Sequence, residues 1–330
     1  MTTTKAFVEI VSTGRFLPDR VVTNRDMESI VETTDAWIFE RTGIRERRIA
    51  PPEMTAADMG AAAARVAMER ADVEPEDVDV LIVSTATPDR LLPATACDLQ
   101  GLIGATKAVA FDVVGACTGF IYALTVAEGY LSTGRGKIAL VVATEKLSAI
   151  VDWEDRTTCV LFGDGAGAAV VRSSAGERGI LGTHHQSNGN LADLLYRPAG
   201  GAAIPMDEDV LRNRTHLIRM SGREIFKHAV RAMADSSGQA LERSGWALED
   251  VDLVFPHQAN IRIIKATARY AGLPMEKVFV NVDRYGNMSS ATIPVAMDEA
   301  IEEGRLEPGM KLLLVAFGAG LTWGAMAVRW

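Results

Sequence analysis

Cysteine is scarce in this chain of 330 residues; Cys97, Cys117 and Cys159 are the only three. An odd, dispersed set without a CxxC pair forms neither a disulfide framework nor a thiolate metal site, and it points to a reducing compartment, the cytoplasm. Aromatic residues amount to only 6%. Positive charge is in deficit: 34 Lys and Arg face 43 Asp and Glu, a net charge of −9. That balance argues against general nucleic-acid binding and leaves room for a local basic patch. Long apolar runs are missing too. The longest uncharged stretch, 312–328, is broken by Gly318, Gly320 and Gly324, and reads as two buried strands joined by a turn rather than a membrane helix. Residues 1–10 lack the charged-then-apolar pattern of a signal peptide. What is present, 48% apolar residues with mixed charge, suits a globular chain of two domains or one duplicated domain.

The chain repeats itself. Met68-Glu69-Arg70 precedes Glu76-Asp77-Val78-Asp79 and the apolar run Val80-Leu81-Ile82-Val83. Leu241-Glu242-Arg243 precedes Glu249-Asp250-Val251-Asp252 and Leu253-Val254-Phe255 at the same spacing. Three more matches follow in order. Residues 111–134 read as strand, small-residue turn, helix and glycine, and 280–304 share that plan with the turn at Tyr285-Gly286-Asn287-Met288. Residues 137–143 resemble 311–316, and 167–171 resemble 324–328. Two copies of one α/β unit follow, 1–176 and 177–330. Each alternates helix and strand, which predicts a mainly parallel sheet covered by helices. Thr55 and Asp58 predict the N-terminal cap of a helix running to Ala71, whose run of alanines at 61–64 suits close packing between layers. Two such units face to face bury central helices between two sheets. They also gather the strand ends before Cys117, His257 and Asn287, where ligand sites of α/β sheets lie.

Cys117 stands in Gly115-Ala116-Cys117-Thr118-Gly119, between the β-branched run 108–114, read as a buried strand, and a helical pattern ending near Gly134. At a helix N-terminus, unpaired N–H groups and the macrodipole favour an anion, and the pKa of a cysteine falls from about 8.5 to roughly 3.5–7.5. Most buried cysteines are inert packing residues, but the small neighbours here leave room for an electrophile. His257 follows a strand in Phe255-Pro256-His257-Gln258-Ala259-Asn260, with a helix from about Ile261 to Tyr270 behind it. Asn287 occupies in the second copy nearly the place of Cys117 in the first. A cysteine can serve as nucleophile, and an imidazole and an amide can donate to a developing oxyanion. His184, His185, His216 and His228 read as structural. Adjacent His184 and His185 on a strand point opposite ways, which is poor metal geometry.

These residues, with Trp37-Ile38-Phe39-Glu40-Arg41-Thr42-Gly43-Ile44-Arg45-Glu46-Arg47, Phe162-Gly163-Asp164-Gly165-Ala166-Gly167 and Gly318-Ala319-Gly320-Leu321-Thr322-Trp323-Gly324, make the chain resemble beta-ketoacyl-acyl carrier protein synthase III of the thiolase superfamily over essentially its whole length. The resemblance implies an α/β, thiolase-like five-layered αβαβα fold built from two repeated halves, a homodimer, and no metal or redox cofactor, acyl-CoA being a substrate. The glycines at 163, 165 and 167 then serve close packing rather than a dinucleotide.

The activity implied is a decarboxylative Claisen condensation of an acyl-CoA primer with malonyl-acyl carrier protein, through an acyl-Cys117 thioester, at the start of fatty acid biosynthesis. His257 and Asn287 would hold the enolate oxygen. The turn at Gly318, Ala319 and Gly320 would help bind the acyl oxyanion, with Ala319 strained should the turn need positive φ there. By the same resemblance Trp37 and Arg156 sandwich the CoA adenine, and Arg41 and Thr42 lie nearby. Gly222, Phe226, Ala259 and Asn260 line the pantetheine tunnel. Lys227, Arg262, Lys265 and Arg269 offer acyl carrier protein a cationic surface, and Leu92 ends the primer pocket across the dimer, tolerating primers longer than acetyl or branched. The alternatives are a specialised acyltransferase or condensing enzyme of polyketide or secondary metabolism, with acceptor choice in loop 191–205, and a thiolase or 3-hydroxy-3-methylglutaryl synthase. A thiolase needs a second catalytic cysteine, which neither Cys97 nor Cys159 supplies, and the latter synthase needs a glutamate that the sequence does not place. A non-catalytic scaffold leaves Cys117, His257 and Asn287 unexplained.

Overall fold

The computed structural model of the protein describes residues 7–174, 176 and 178–330, so the reading of residues 1–6 lies outside the described residues. Two sheets follow one plan. The first runs in the order Phe7–Phe16, Asp164–Ser174, Ile138–Lys146, Val80–Ser84, Val109–Val113. Its first two pairings are antiparallel and its last two parallel. The second runs Gly179–Ser187, Thr322–Arg329, Lys311–Gly318, Leu253–Pro256, again with two antiparallel pairings and then a parallel one.

The helices complete five layers. Ala56–Ala71 and Thr95–Ile103 cover the outer face of the first sheet, around a core that includes Met59, Leu81, Leu99 and Val142. Gly119–Ser132 and Thr292–Glu302 lie between the sheets, where Phe120, Ile121, Leu124, Ile293 and Met297 join side chains of both. Gly222–Ser244 and Ile261–Ala271 cover the second sheet. Thr55 and Asp58 form the expected capping box, and the helix runs to Ala71. Its alanines admit the sheet closely: a Cβ on Gly14 would stand 2.4 Å from the Ala63 carbonyl. Burial of this apolar surface, at about 25 cal/mol per Å2, is the main force holding the layers together. Among the described residues no helix is long and apolar enough to cross a membrane.

Three expectations need correction. Neither sheet is mainly parallel: two of four pairings in the first and one of three in the second are parallel, because 138–146 and 164–174, like 311–318 and 322–329, follow one another with no α-helix between them. The strand before Cys117 is an edge strand, not a buried one, with Val109 52% and the following Val114 78% exposed. β-Branched residues mark a strand without saying whether it is central, because periodicity does not see sheet neighbours. The second strand is missing: 280 was expected to begin a strand, and only a Val254–Val278 bridge forms before the short helix Val282–Tyr285. The Gln258 side chain takes the place of the ladder there. Its Nε2 donates to the Phe279 carbonyl at 3.1 Å, and its Oε1 accepts from Asn281 N–H at 3.1 Å.

Candidate active site

Cys117 sits in a tight turn, Ala116–Thr118, that leads straight into the helix Gly119–Ser132. The turn is compressed. Ala116 has φ +45°, and a Cβ on Gly119 would meet Ser84 Oγ at 1.9 Å. Gly318, at the end of its strand, closes over the same turn. The thiol is buried, and here the structure departs from the expectation of an acidified cysteine. Burial pushes its pKa up to about 12, opposed by a hydrogen bond to the Ser289 hydroxyl and reinforced by the charge of Glu145. Helix-end N–H groups lower a thiol pKa, but in this closed pocket desolvation outweighs them.

His257 follows the strand Leu253–Pro256, and its backbone N–H donates to the Val315 carbonyl of the neighbouring strand at 2.7 Å. Its Nδ1 lies 2.7 Å from Thr292 Oγ1, and burial drives its pKa down to about 3, so the ring is neutral at neutral pH. Asn287 is held by backbone bonds to the neighbouring segment: its N–H donates to Leu161 O at 2.9 Å and its carbonyl accepts from Gly163 N–H at 3.1 Å. Its Oδ1 accepts from Ser289 N–H at 2.8 Å, which fixes the amide and leaves Nδ2 for the cavity. The glycines of the strand Asp164–Ser174 and the residue before it permit this approach. A Cβ on Gly163 would lie 2.5 Å from Tyr285 O, one on Gly165 2.6 Å from Met288 Sδ, and one on Gly167 2.8 Å from Pro294.

Three residues behind this set escaped the sequence reading. Glu145 is fully buried and accepts from Ser290 Oγ at 2.6 Å, Ala86 N–H at 3.0 Å and Thr87 Oγ1 at 3.1 Å. Burial raises its pKa. Ser289 holds the Asn287 amide through its N–H, and its hydroxyl favours the ionised forms of both Glu145 and Cys117. Thr292 holds the histidine. A charged residue closing the apolar run 138–144 was a visible signal for Glu145; nothing in sequence set Ser289 and Thr292 apart from ordinary turn and helix-start residues.

Cys117, His257 and Asn287 line one cavity of about 740 Å3, together with Trp37, Arg41, Thr42, Gly222, Phe226, Lys227, Ala259, Asn260, Arg262 and Gly318. Arg41 and Arg156 flank Trp37, with guanidinium carbons 4.9 and 5.1 Å from its ring centroid. Asn260 also has structural work: it caps the helix Ile261–Ala271, and its Nδ2 donates to Arg41 O at 3.1 Å. Arg262, Lys265 and Arg269 are exposed on one face of that helix. Lys227 is paired with Glu224 at 2.8 Å. Arg156, Ala319, Gly320, Leu92, Lys265 and Arg269 do not line the cavity, and Leu92 is 86% exposed in its own chain. The strain expected at Ala319 is absent, because the positive φ of that turn falls on Gly320, at +135°. His184 and His185 do point opposite ways, to Ser236 at 3.0 Å and Thr125 at 2.7 Å.

A doubled, five-layered α/β fold whose cavity reaches a cysteine at a helix start belongs to the acyltransferases of the thiolase fold. Comparison with known proteins narrows the class. The family described as 3-oxoacyl-[acyl-carrier-protein (ACP)] synthase III matches residues 111–189, and its C-terminal counterpart matches 241–330. The chain is 49% identical over 324 residues to a beta-ketoacyl-[acyl-carrier-protein] synthase III of Clostridium acetobutylicum, covering 98% of each. A relative of the same name from Roseiflexus sp. is 49% identical over 317 residues, 96% of each chain. The crystal structure of 3-oxoacyl-[acyl-carrier-protein] synthase III from Aquifex aeolicus VF5 superposes with a TM-score of 0.91 at 48% identity, covering 98% of this chain and all of that one. The chain belongs to the 3-oxoacyl-[acyl-carrier-protein] synthase III family.

Proposed function

We propose that the chain condenses an acyl-CoA primer with malonyl-acyl carrier protein in two half-reactions, the initiating step of fatty acid biosynthesis. Cys117 attacks the acyl-CoA thioester and CoA leaves. Malonyl-acyl carrier protein then loses carbon dioxide while His257 and Asn287 donate to its thioester oxygen, and the carbanion takes the acyl group from Cys117. The N–H of Cys117 and the turn 318–320 hold the oxyanion of the acyl step. The observation that carries this reading is the single cavity joining half-exposed Trp37, flanked by two arginines, to buried Cys117, His257 and Asn287. An adenine stacks on such an aromatic and arginine pair, and the remaining length suits a pantetheine arm past Gly222, Phe226, Ala259 and Asn260.

The halves 1–176 and 177–330 supply the nucleophile and the two donors respectively. The reaction needs no metal or redox cofactor. The exposed edge strand Val109–Val113, with Leu91, Leu92 and Val114 exposed near its level in the chain, suits pairing with a second copy, whose Leu92 would then close the primer pocket. Exposed Arg262, Lys265 and Arg269 suit an acidic carrier protein, and the reducing cytoplasm suits the free thiols. The polyketide-type reading stays in view through one match: the priming β-ketosynthase of the R1128 polyketide pathway has a TM-score of 0.91 at 34% identity, covering 98% of this chain and 96% of that one.

The test is intact-protein mass after mixing with a panel of acyl-CoAs, beside Cys117→Ala. A gain of one acyl group in the wild type alone, followed by carbon dioxide release on adding malonyl-acyl carrier protein, is expected. Labelling of neither protein, or of both alike, overturns the proposal.

A further inference from the structure

Thr292 opens the helix Thr292–Glu302, and its hydroxyl stands between two groups. Oγ1 is 3.0 Å from the carbonyl of Ser289 and 2.7 Å from His257 Nδ1. A hydroxyl has one proton to give and lone pairs to receive with. The carbonyl can only accept. Threonine in a helical first turn commonly sends its proton to the carbonyl three residues back. With that proton given to Ser289, the contact to the ring is made only if Nδ1 brings its own hydrogen. Both side chains are buried, so neither bond is exchanged for water. A neutral imidazole carries one ring proton. Placed on Nδ1, it leaves Nε2 bare.

We infer that Thr292 selects the Nδ1–H tautomer of His257 in the free enzyme, so that the ring presents to the cavity a proton acceptor rather than a donor. This rests on the condensing reaction proposed above and specifies the first half of it. The S–H bond of Cys117 breaks, Nε2 takes the proton, and the sulfur pair forms the bond to the acyl carbon as the bond to the CoA sulfur breaks. Nε2 hands that proton to the departing sulfur, so CoA leaves as the thiol and the buried ring returns to its neutral Nδ1–H form. When the carbanion later removes the acyl group, the Cys117 thiolate is reprotonated from solvent. Thr292 is thus the positioning residue that makes the ring start the first half-reaction empty-handed at Nε2.

The test is NMR of the full-length protein labelled with 15N-histidine, with the His257 signals identified by their loss in His257→Ala. In the free wild type Nδ1 is expected to appear as N–H and Nε2 as an unprotonated ring nitrogen. Thr292→Val is expected to move the proton to Nε2 and slow acylation about tenfold, the scale of one hydrogen bond. Thr292→Ser is expected to keep the wild-type tautomer and rate. A wild-type Nε2–H, or Thr292→Val spectra identical to wild type, overturns the inference. The tautomer is read without turnover, so an Nδ1–H ring in a protein that takes no acyl group would sink the proposed reaction and leave the tautomer assignment standing.

Discussion

Gly318 lies so close to Cys117 that one added carbon would collide with it: a Cβ there would stand 2.8 Å from the Cys117 amide nitrogen and 3.1 Å from its Cβ. Both atoms belong to the turn that aims the thiol, and neither is the end of a flexible side chain. Gly318→Ala must therefore displace the nucleophile or the strand end. A misplacement on the ångström scale costs about a hundredfold in rate. We predict that loss in the rate of acyl-Cys117 formation, measured by mass, with the thermal melting point changed little because the clash is confined to one turn. Acylation within about twofold of wild type would mean the turn is not geometrically demanding.

The second prediction concerns the charge behind the thiol. Burial and the Glu145 carboxylate both raise the Cys117 pKa, to about 12. The free enzyme should therefore show iodoacetamide alkylation that is still rising steeply with pH at about 10, where a free cysteine, half-ionised near 8.5, has levelled off. Removing the negative charge favours thiolate, so Glu145→Gln should react faster than wild type at any given alkaline pH. The sign decides the matter: slower alkylation in Glu145→Gln, or a wild-type half-maximum at or below about 8.5, contradicts this account.

How legible this was from sequence differs by level. The strands pairing as Val80–Ser84 with Ile138–Lys146 and Leu253–Pro256 with Lys311–Gly318 were readable, because fully buried strands appear as unbroken apolar runs. The placement of Cys117 and His257 just after strands was readable, whereas Asn287, set beside them by the repeat, follows the short helix Val282–Tyr285 and not a strand. Edge position was not readable for Val109–Val113, since it depends on which strand lies alongside. Nor was the loss of the strand at 280, where one amide side chain, Gln258, replaces a ladder. Thr292 and Ser289 were hidden for another reason. Their importance arises from atoms more than thirty residues away in sequence, at His257 and Cys117, and no local pattern encodes such a contact.

The union of the two repeats offers a stability test. Asp298, buried on the helix Thr292–Glu302, binds Arg15 at 2.7 Å, Arg70, and Thr13 Oγ1 at 2.9 Å. Those partners come from the strand Phe7–Phe16 and the helix Ala56–Ala71 of the other half. Asp298→Asn leaves two part-buried arginines with the more exposed Glu302 as their remaining carboxylate, at 2.5 Å from Arg15 and 3.1 Å from Arg70. Breaking a buried pair costs about 3–5 kcal/mol, and the exposure of Arg70 places this case at the lower end. The expected fall in melting temperature is roughly 6–12 °C. A shift under about 2 °C would show that Glu302 and water suffice for the arginines without the Asp298 charge.

Carrier recognition separates from chemistry at Lys265 and Arg269. Both are exposed on the helix Ile261–Ala271, and neither lines the cavity. Lys227 is a poorer docking candidate, because Glu224 already neutralises it at 2.8 Å. The double reversal Lys265→Glu with Arg269→Glu should leave acyl-CoA loading of Cys117 unchanged, since that substrate reaches the thiol through the cavity. It should raise the KM for malonyl-acyl carrier protein about tenfold, as opposing charges are replaced by like ones. Added salt should shrink the difference, because exposed charges are screened beyond roughly 10 Å at 0.1 M. An equal loss in both half-reactions would point to a damaged fold, and no loss in either would move the docking surface away from this helix.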